Sequence, residues 1–157
     1  MQTNDYFHIW ILGDEKMIQE EYIREKVYTY YWDEDVNCTT VMLKILSELH
    51  NLKLDLQVLQ SAIGMHGAGV FGAQCGLVEG SLMFIGIWGK ETGLSTEKIV
   101  NLCYRFAKDF EQEFGSLSCG KLRPQGFNAD NPPHLCEGLT NKAVKFTAEY
   151  LKDNATC

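Results

Sequence analysis

Proline, positive charge and long apolar runs are all scarce in this 157-residue sequence. With three prolines and few runs of β-branched residues, the composition favours helix over sheet. Asp and Glu outnumber Lys and Arg by 21 to 14, and a net charge of −7 repels phosphate backbones, so we expect no nucleic-acid binding. The most apolar stretch, residues 75–88, contains Glu79 and is shorter than the roughly 20 residues that cross a bilayer, so we expect no membrane insertion.

Targeting signals and short cysteine motifs are absent as well. No basic cluster precedes the apolar residues 6–12, so they do not resemble a secretion signal, and we expect a cytoplasmic protein. In that reducing compartment, six cysteines are more often ligands or redox groups than structural disulfides. The lack of Cys-x-x-Cys excludes the zinc-knuckle, thioredoxin and ferredoxin patterns. Because Cys-x-x-Cys-His is also missing, no covalent haem is expected.

Helical periodicity of apolar residues predicts an all-α, single-domain bundle of five or six helices over residues 1–157. The predicted helices cover about residues 15–32, 36–51, 55–63, 75–90, 95–114 and 134–152. We interpret residues 1–14 as an arm that packs on the bundle or on a second subunit of a homodimer. Residues 33–152 contain the helices that carry most of the cysteines, and we interpret them as the core of the domain.

A glycine-rich loop precedes the helix that we place at the centre of the bundle. Residues 64–74 hold four glycines, which predicts positive φ angles or a close backbone approach. The following helix is apolar on almost all sides, as expected of a buried central helix. Gly76 and Gly80 reduce helix propensity there by roughly 1 kcal/mol each, which indicates close helix packing or a nearby site. We predict that these two glycines line a cofactor site.

Four cysteines lie at or near predicted helix N-termini: Cys38, Cys75, Cys119 and Cys136. Free N–H groups and the helix dipole favour an anion there, and a thiolate with a lowered pKa becomes a nucleophile or a metal ligand. Side chains from different helices can converge inside a bundle, so we predict that these four form one site. Cys103 falls in an apolar helix stripe and is interpreted as core, and Cys157 as a bystander.

The order of these cysteines resembles a known family. Residues 75–80 (Cys-Gly-Leu-Val-Glu-Gly), after the glycine-rich loop, are similar to the signature of the C-GCAxxG-C-C redox-active proteins. An early lone cysteine, a Phe-Gly-x-x-x-Cys-x-x-Leu segment at residues 114–122 and a final cysteine before an Ala-containing helix follow the same order. The resemblance covers roughly residues 33–152 and implies a redox role for the four cysteines. Leu77 departs from the pattern, which usually has alanine, and adds bulk beside Cys75.

Three functions remain open for the four cysteines. They could bind zinc, iron or an iron–sulfur cluster for electron transfer, since four thiolates complete such a site. They could instead act as thiol–disulfide pairs of unknown connectivity with a redox partner protein. The third function is a non-catalytic interaction or dimerisation domain with structural zinc or buried cysteines. His66, His134 and Glu79 could assist as ligands or proton donors, although local structural roles are favoured for each.

Overall fold

The computed structural model describes residues 14–123 and 125–155. Its helices are α1 (Asp14–Tyr28), α2 (Cys38–Leu49), α3 (Leu56–Ser61), α4 (Gly67–Val70), α5 (Gly76–Glu91), α6 (Thr96–Phe114), α7 (Cys119–Leu122) and α8 (Glu137–Asn154). A π-helical segment, Thr29–Asp33, continues α1. No strand occurs in these two ranges, where an isolated bridge joins Gln74 to Ser118. The all-α bundle is therefore confirmed, while residues 1–13 of the predicted arm lie outside the described ranges.

Helix α5 occupies the centre of the bundle, as its apolar sequence predicts. It packs against α2, α6 and α8. Phe84 and Ile85 of α5 are fully buried beside Met42 of α2 and Phe106 of α6 in one continuous core. Burial of each such side chain contributes about 1.5–3 kcal/mol to folding. None of the helices in the described part of the chain is both long and apolar enough to cross a membrane.

Polar caps set the first residue of two helices. The Asn37 side chain accepts a hydrogen bond from the Thr40 N–H at 2.9 Å and starts α2. Its amide group also donates to the carbonyls of Ala62 and Ile63, at 3.0 and 2.9 Å. Ser95 starts α6 by accepting a hydrogen bond from a backbone N–H. Asn37 thus caps a helix and also ties α2 to the segment that follows α3.

Replacing Asn37 with alanine should cost more stability than removing the simpler cap at Ser95. We expect Asn37→Ala to lower the free energy of unfolding by about 2 kcal/mol, because it removes the cap and leaves two carbonyls without their donor. Ser95→Ala, the matched control, should lose about 1 kcal/mol. Urea unfolding measures both values. Equal losses would show that the contacts with Ala62 and Ile63 add nothing to stability.

The last helix begins later than the sequence predicts. The predicted start is near residue 134, but α8 begins at Glu137. His134 has a φ of 55°, which is left-handed and cannot belong to a right-handed helix. The two prolines before it therefore lead into a turn, and Cys136 comes to stand directly before the first residue of α8.

The glycine-rich loop forms a left-handed turn, as its composition predicts. All four residues of α4 have positive φ, at 66°, 53°, 61° and 64°. Glycine adopts such angles easily, but Ala68 and Val70 do not, so the turn depends on support from its surroundings. Gly67 provides one such contact, because a Cβ there would lie 3.1 Å from the Cys119 sulfur. The turn therefore packs closely on a cysteine that the sequence singles out.

Candidate functional site

The four predicted site cysteines all lie at helix starts. Cys38 and Cys119 are the first residues of α2 and α7, and Cys75 and Cys136 directly precede α5 and α8. Cys103 is half-buried in α6 and packs against the core, as predicted, whereas Cys157 lies outside the described ranges. All five cysteines in those ranges are free thiols.

A short pair of backbone hydrogen bonds places Cys75 next to Cys119. The N–H of Cys75 donates to the Leu117 carbonyl at 2.8 Å, and the N–H of Cys119 donates to the Ala73 carbonyl at 2.7 Å. These bonds enclose the antiparallel bridge between Gln74 and Ser118. Residues that flank such a bridge point to the same face, so both thiols lie on one side of it. Both side chains are buried there.

The two thiols of this pair differ strongly in acidity. The Cys75 thiol donates a hydrogen bond to the Cys119 sulfur, which stabilises a thiolate on Cys119 and lowers its pKa to about 7. The positive charge of Arg123 also contributes to this lowered value, and burial opposes it. The same hydrogen bond, together with burial, raises the pKa of Cys75 far above its usual range. The pair therefore holds one proton near neutral pH.

Cys38 and Cys136 are neighbours of this pair and favour the protonated form. Burial, and to a lesser degree the charges of Cys136 and Cys119, raise the pKa of Cys38 to about 12. Burial also raises the pKa of Cys136, although Arg123 opposes this effect. Each of the four thiols interacts electrostatically with at least one of the others, and the Cys38 sulfur lies 2.5 Å from where a Gly76 Cβ would stand. We refer to the four thiols as the cysteine cluster.

Helix N-termini do not lower the pKa of all four thiols, contrary to the expectation from sequence. Backbone N–H groups of Thr39 and Cys38 do favour a thiolate at Cys38, and that of Leu77 does so at Cys75. Burial outweighs the backbone contacts at Cys38 and the effect of Arg123 at Cys136, and at Cys75 the hydrogen bond to Cys119 adds to burial. The lowered pKa of Cys119 comes mainly from the sulfur–sulfur hydrogen bond.

The sequence did not identify Arg123 as a site residue, because it predicts a polar loop from that position. Its Nη1 donates to the Cys136 sulfur at 3.9 Å, and its Nε donates to the Gly126 carbonyl at 2.7 Å. The guanidinium lies 4.5 Å from the centroid of the Phe127 ring. Its spacing of one helical turn from Cys119 was the signal available in the sequence.

Tyr31 is a buried residue beside the cysteine cluster. Its hydroxyl shares a 2.7 Å hydrogen bond with the Thr140 hydroxyl, and its ring stacks on His134 at 4.8 Å. Burial raises the pKa of Tyr31, and the charges of Cys38 and Cys136 raise it further. No spacing rule connects Tyr31 to the cysteines, since it reaches them from the π-helical segment after α1.

His66, His134 and Glu79 were the candidate ligands or proton donors, and the structure shows what surrounds each of them. His134 packs between Tyr31 and Trp32, and its Nε2 lies 3.7 Å from an Asp35 carboxylate oxygen. The Nδ1 of His66 is buried without a hydrogen-bond partner. Glu79 lies in the first turn of α5, where burial raises the pKa of its carboxyl group. Whether any of the three moves a proton at the site stays a prediction.

The two site glycines form a helix–helix contact. A Cβ on Gly76 would lie 2.5 Å from both the Cys38 sulfur and the Thr39 hydroxyl oxygen. A Cβ on Gly80 would lie 2.7 Å from the Met42 Cβ and 2.8 Å from the Thr39 carbonyl oxygen. The glycines thus let α5 approach α2 closely, and the prediction that they bind a cofactor stays a prediction.

The positions of the possible donor groups bear on whether the site could bind a metal ion. Across residues 14–123 and 125–155, no three or more His, Cys, Asp or Glu side chains are arranged to hold a metal ion. A structural zinc or an iron–sulfur cluster needs four such ligands at about 2.0–2.3 Å. The arrangement of the described donors does not fit such a group.

Fold and site together define a small all-α protein with a cluster of free thiols at helix starts. The model of the C-GCAxxG-C-C family, described as putative redox-active protein, matches residues 36–150. The chain therefore belongs to this family, which confirms the resemblance seen in its sequence. No curated protein and no solved structure matches the chain.

Proposed function

We propose that the protein carries out thiol–disulfide exchange, with Cys119 as the attacking thiolate and Cys75 as the resolving thiol. The observation that supports this most is the backbone bridge that sets the two buried thiols on one side of it, and in this pair the pKa of Cys119 is lowered. A thiol with a pKa near the ambient pH combines a large thiolate fraction with good nucleophilicity. The family's redox character agrees with this assignment.

The exchange transfers two electrons to a disulfide on a partner protein or a small molecule. The Cys119 thiolate attacks one sulfur of that disulfide, forms a mixed disulfide and expels the other sulfur as a thiolate. The expelled thiolate takes a proton, and Cys75 loses its own proton to solvent. Cys75 then attacks the Cys119 sulfur, releases the substrate's second thiol and leaves a Cys75–Cys119 disulfide. The substrate disulfide is reduced, the Cys pair is oxidised, and an external dithiol reduces it again.

The setting supports thiol chemistry in preference to the other two functions. A reducing cytoplasm would keep the free thiols reduced between cycles. A metal or iron–sulfur function lacks a fitting set of described ligands. A purely structural domain has no need for a thiol whose pKa is near neutrality, since buried structural cysteines are normally inert.

Disulfide mapping tests this function. Protein purified anaerobically should lose two thiols on mild oxidation, and peptide mass spectrometry should find Cys75 joined to Cys119. The Cys103→Ser variant, which alters a core thiol outside the pair, should behave like the wild type. Stoichiometric zinc, or iron with sulfide, in the purified protein would contradict the proposal and favour a metal site. An unchanged thiol count would favour the structural alternative.

A further inference from the structure

Arg123 lies in a rigid setting at the end of α7. Its backbone N–H donates to the Cys119 carbonyl at 2.8 Å, so its position is tied to that of the attacking cysteine. Its side chain is held from two sides by the Gly126 carbonyl and the Phe127 ring. A guanidinium fixed in this way loses little conformational entropy when it binds a further group.

The Arg123 guanidinium interacts with two sulfurs, that of Cys119 in α7 and that of Cys136 before α8. It donates to the Cys136 sulfur at 3.9 Å, and its charge favours the thiolates of both Cys119 and Cys136. The negative charge of Cys136 in turn raises the pKa of both Cys38 and Tyr31. Arg123 is thus a cation in contact with Cys136, and its charge favours a thiolate at Cys136 more than at Cys38.

Resting on the exchange proposed above, we infer that Arg123 is a positioning residue that directs a second exchange step to Cys136. In the reduced protein, its charge is shared with the Cys119 thiolate. When Cys119 enters the disulfide with Cys75, Cys119 carries no charge, and the guanidinium then acts on Cys136 alone. The Cys136 thiolate attacks the Cys119 sulfur, a Cys119–Cys136 disulfide forms, and Cys75 leaves as a thiolate that takes a proton from solvent. The number of disulfides is unchanged, so this step needs no oxidant.

Alkylation of the oxidised protein tests this role. In the fraction that carries the Cys75–Cys119 disulfide, before the second exchange, iodoacetamide should label Cys136 faster than Cys38, and peptide mass spectrometry gives both rates. Arg123→Gln should slow the labelling of Cys136 by about fivefold, because a neighbouring cation increases the thiolate fraction, and should leave Cys38 unchanged. Arg123→Lys should restore part of the rate. Lys121→Gln, which removes a positive charge from the same helical turn, is the matched control and should leave the Cys136 rate unaltered.

A second background separates this role from the proposed function. The Cys75→Ser, Cys119→Ser double variant cannot form the first disulfide, but it keeps Arg123 beside Cys136. Slower labelling of Cys136 after Arg123→Gln in this background supports the contact. An unchanged rate there overturns the role of Arg123, whatever the wild type does. The Cys136→Ser variant cannot carry out the second step, so its failure to form a Cys75–Cys119 disulfide would instead overturn the proposed exchange.

Discussion

Iodoacetamide should alkylate Cys119 before the other described thiols, at half its maximal rate near pH 7. The thiolate is the reacting species, and the pKa of Cys119 is lowered to about 7. The rate should fall as the pH drops below 7, where Cys119 gains a proton, and should level off above about pH 8. Cys75 and Cys38 should stay unreactive over this range, because their pKa values are raised. Residue-resolved mass spectrometry across a pH series gives these profiles.

The hydrogen bond from Cys75 should account for most of this reactivity. Cys75→Ala removes the donor, so the midpoint of the Cys119 profile should move up toward that of an ordinary cysteine. The rate at pH 7 should fall about tenfold as a result. Cys75→Ser keeps a hydroxyl donor at the same position and should retain a low midpoint. A Cys119 midpoint that is the same in Cys75→Ala and in the wild type would show that the two sulfurs do not share a proton.

The positions of the cysteines were predictable because local signals determine where helices begin. Asn37 caps α2 and makes Cys38 its first residue. The glycine-rich loop cannot continue a right-handed helix, so α5 starts directly after Cys75. The apolar sequence of α5 likewise requires burial on several sides, which places it at the bundle centre. These features depend on neighbouring residues and can be read from the chain.

The pKa values of the cysteine thiols could not be predicted in this way, because they depend on contacts between residues that are distant in the sequence. Cys75 and Cys119 meet through a bridge between two loops, and neither loop carries a strand pattern in its sequence. The depth of burial that raises the pKa of Cys38 is set by the packing of whole helices. Arg123 reaches Cys136 because a turn at His134 brings the start of α8 back to it. Local periodicity contains no information on these approaches.

The close contact between α2 and α5 should be the most sensitive point for stability. Gly80→Ala places a Cβ 2.7 Å from the Met42 Cβ and 2.8 Å from the Thr39 carbonyl oxygen. That oxygen belongs to the backbone of α2 and cannot move alone, so the helices must separate. We expect the free energy of unfolding to fall by about 2–4 kcal/mol, even though alanine gains about 1 kcal/mol in helix propensity.

Gly86→Ala is the matched control on the same helix, because a Cβ there would meet nothing within 4 Å. This variant should be unchanged or more stable by up to about 1 kcal/mol, since only helix propensity changes. Gly76→Ala should be destabilised like Gly80→Ala and should also displace the Cys38 sulfur, which lies 2.5 Å from the new Cβ. Urea unfolding compares the three variants with the wild type. If Gly80→Ala were as stable as Gly86→Ala, α5 would not approach α2 as closely as described. The contact that holds Cys38 beside Cys75 would then be contradicted.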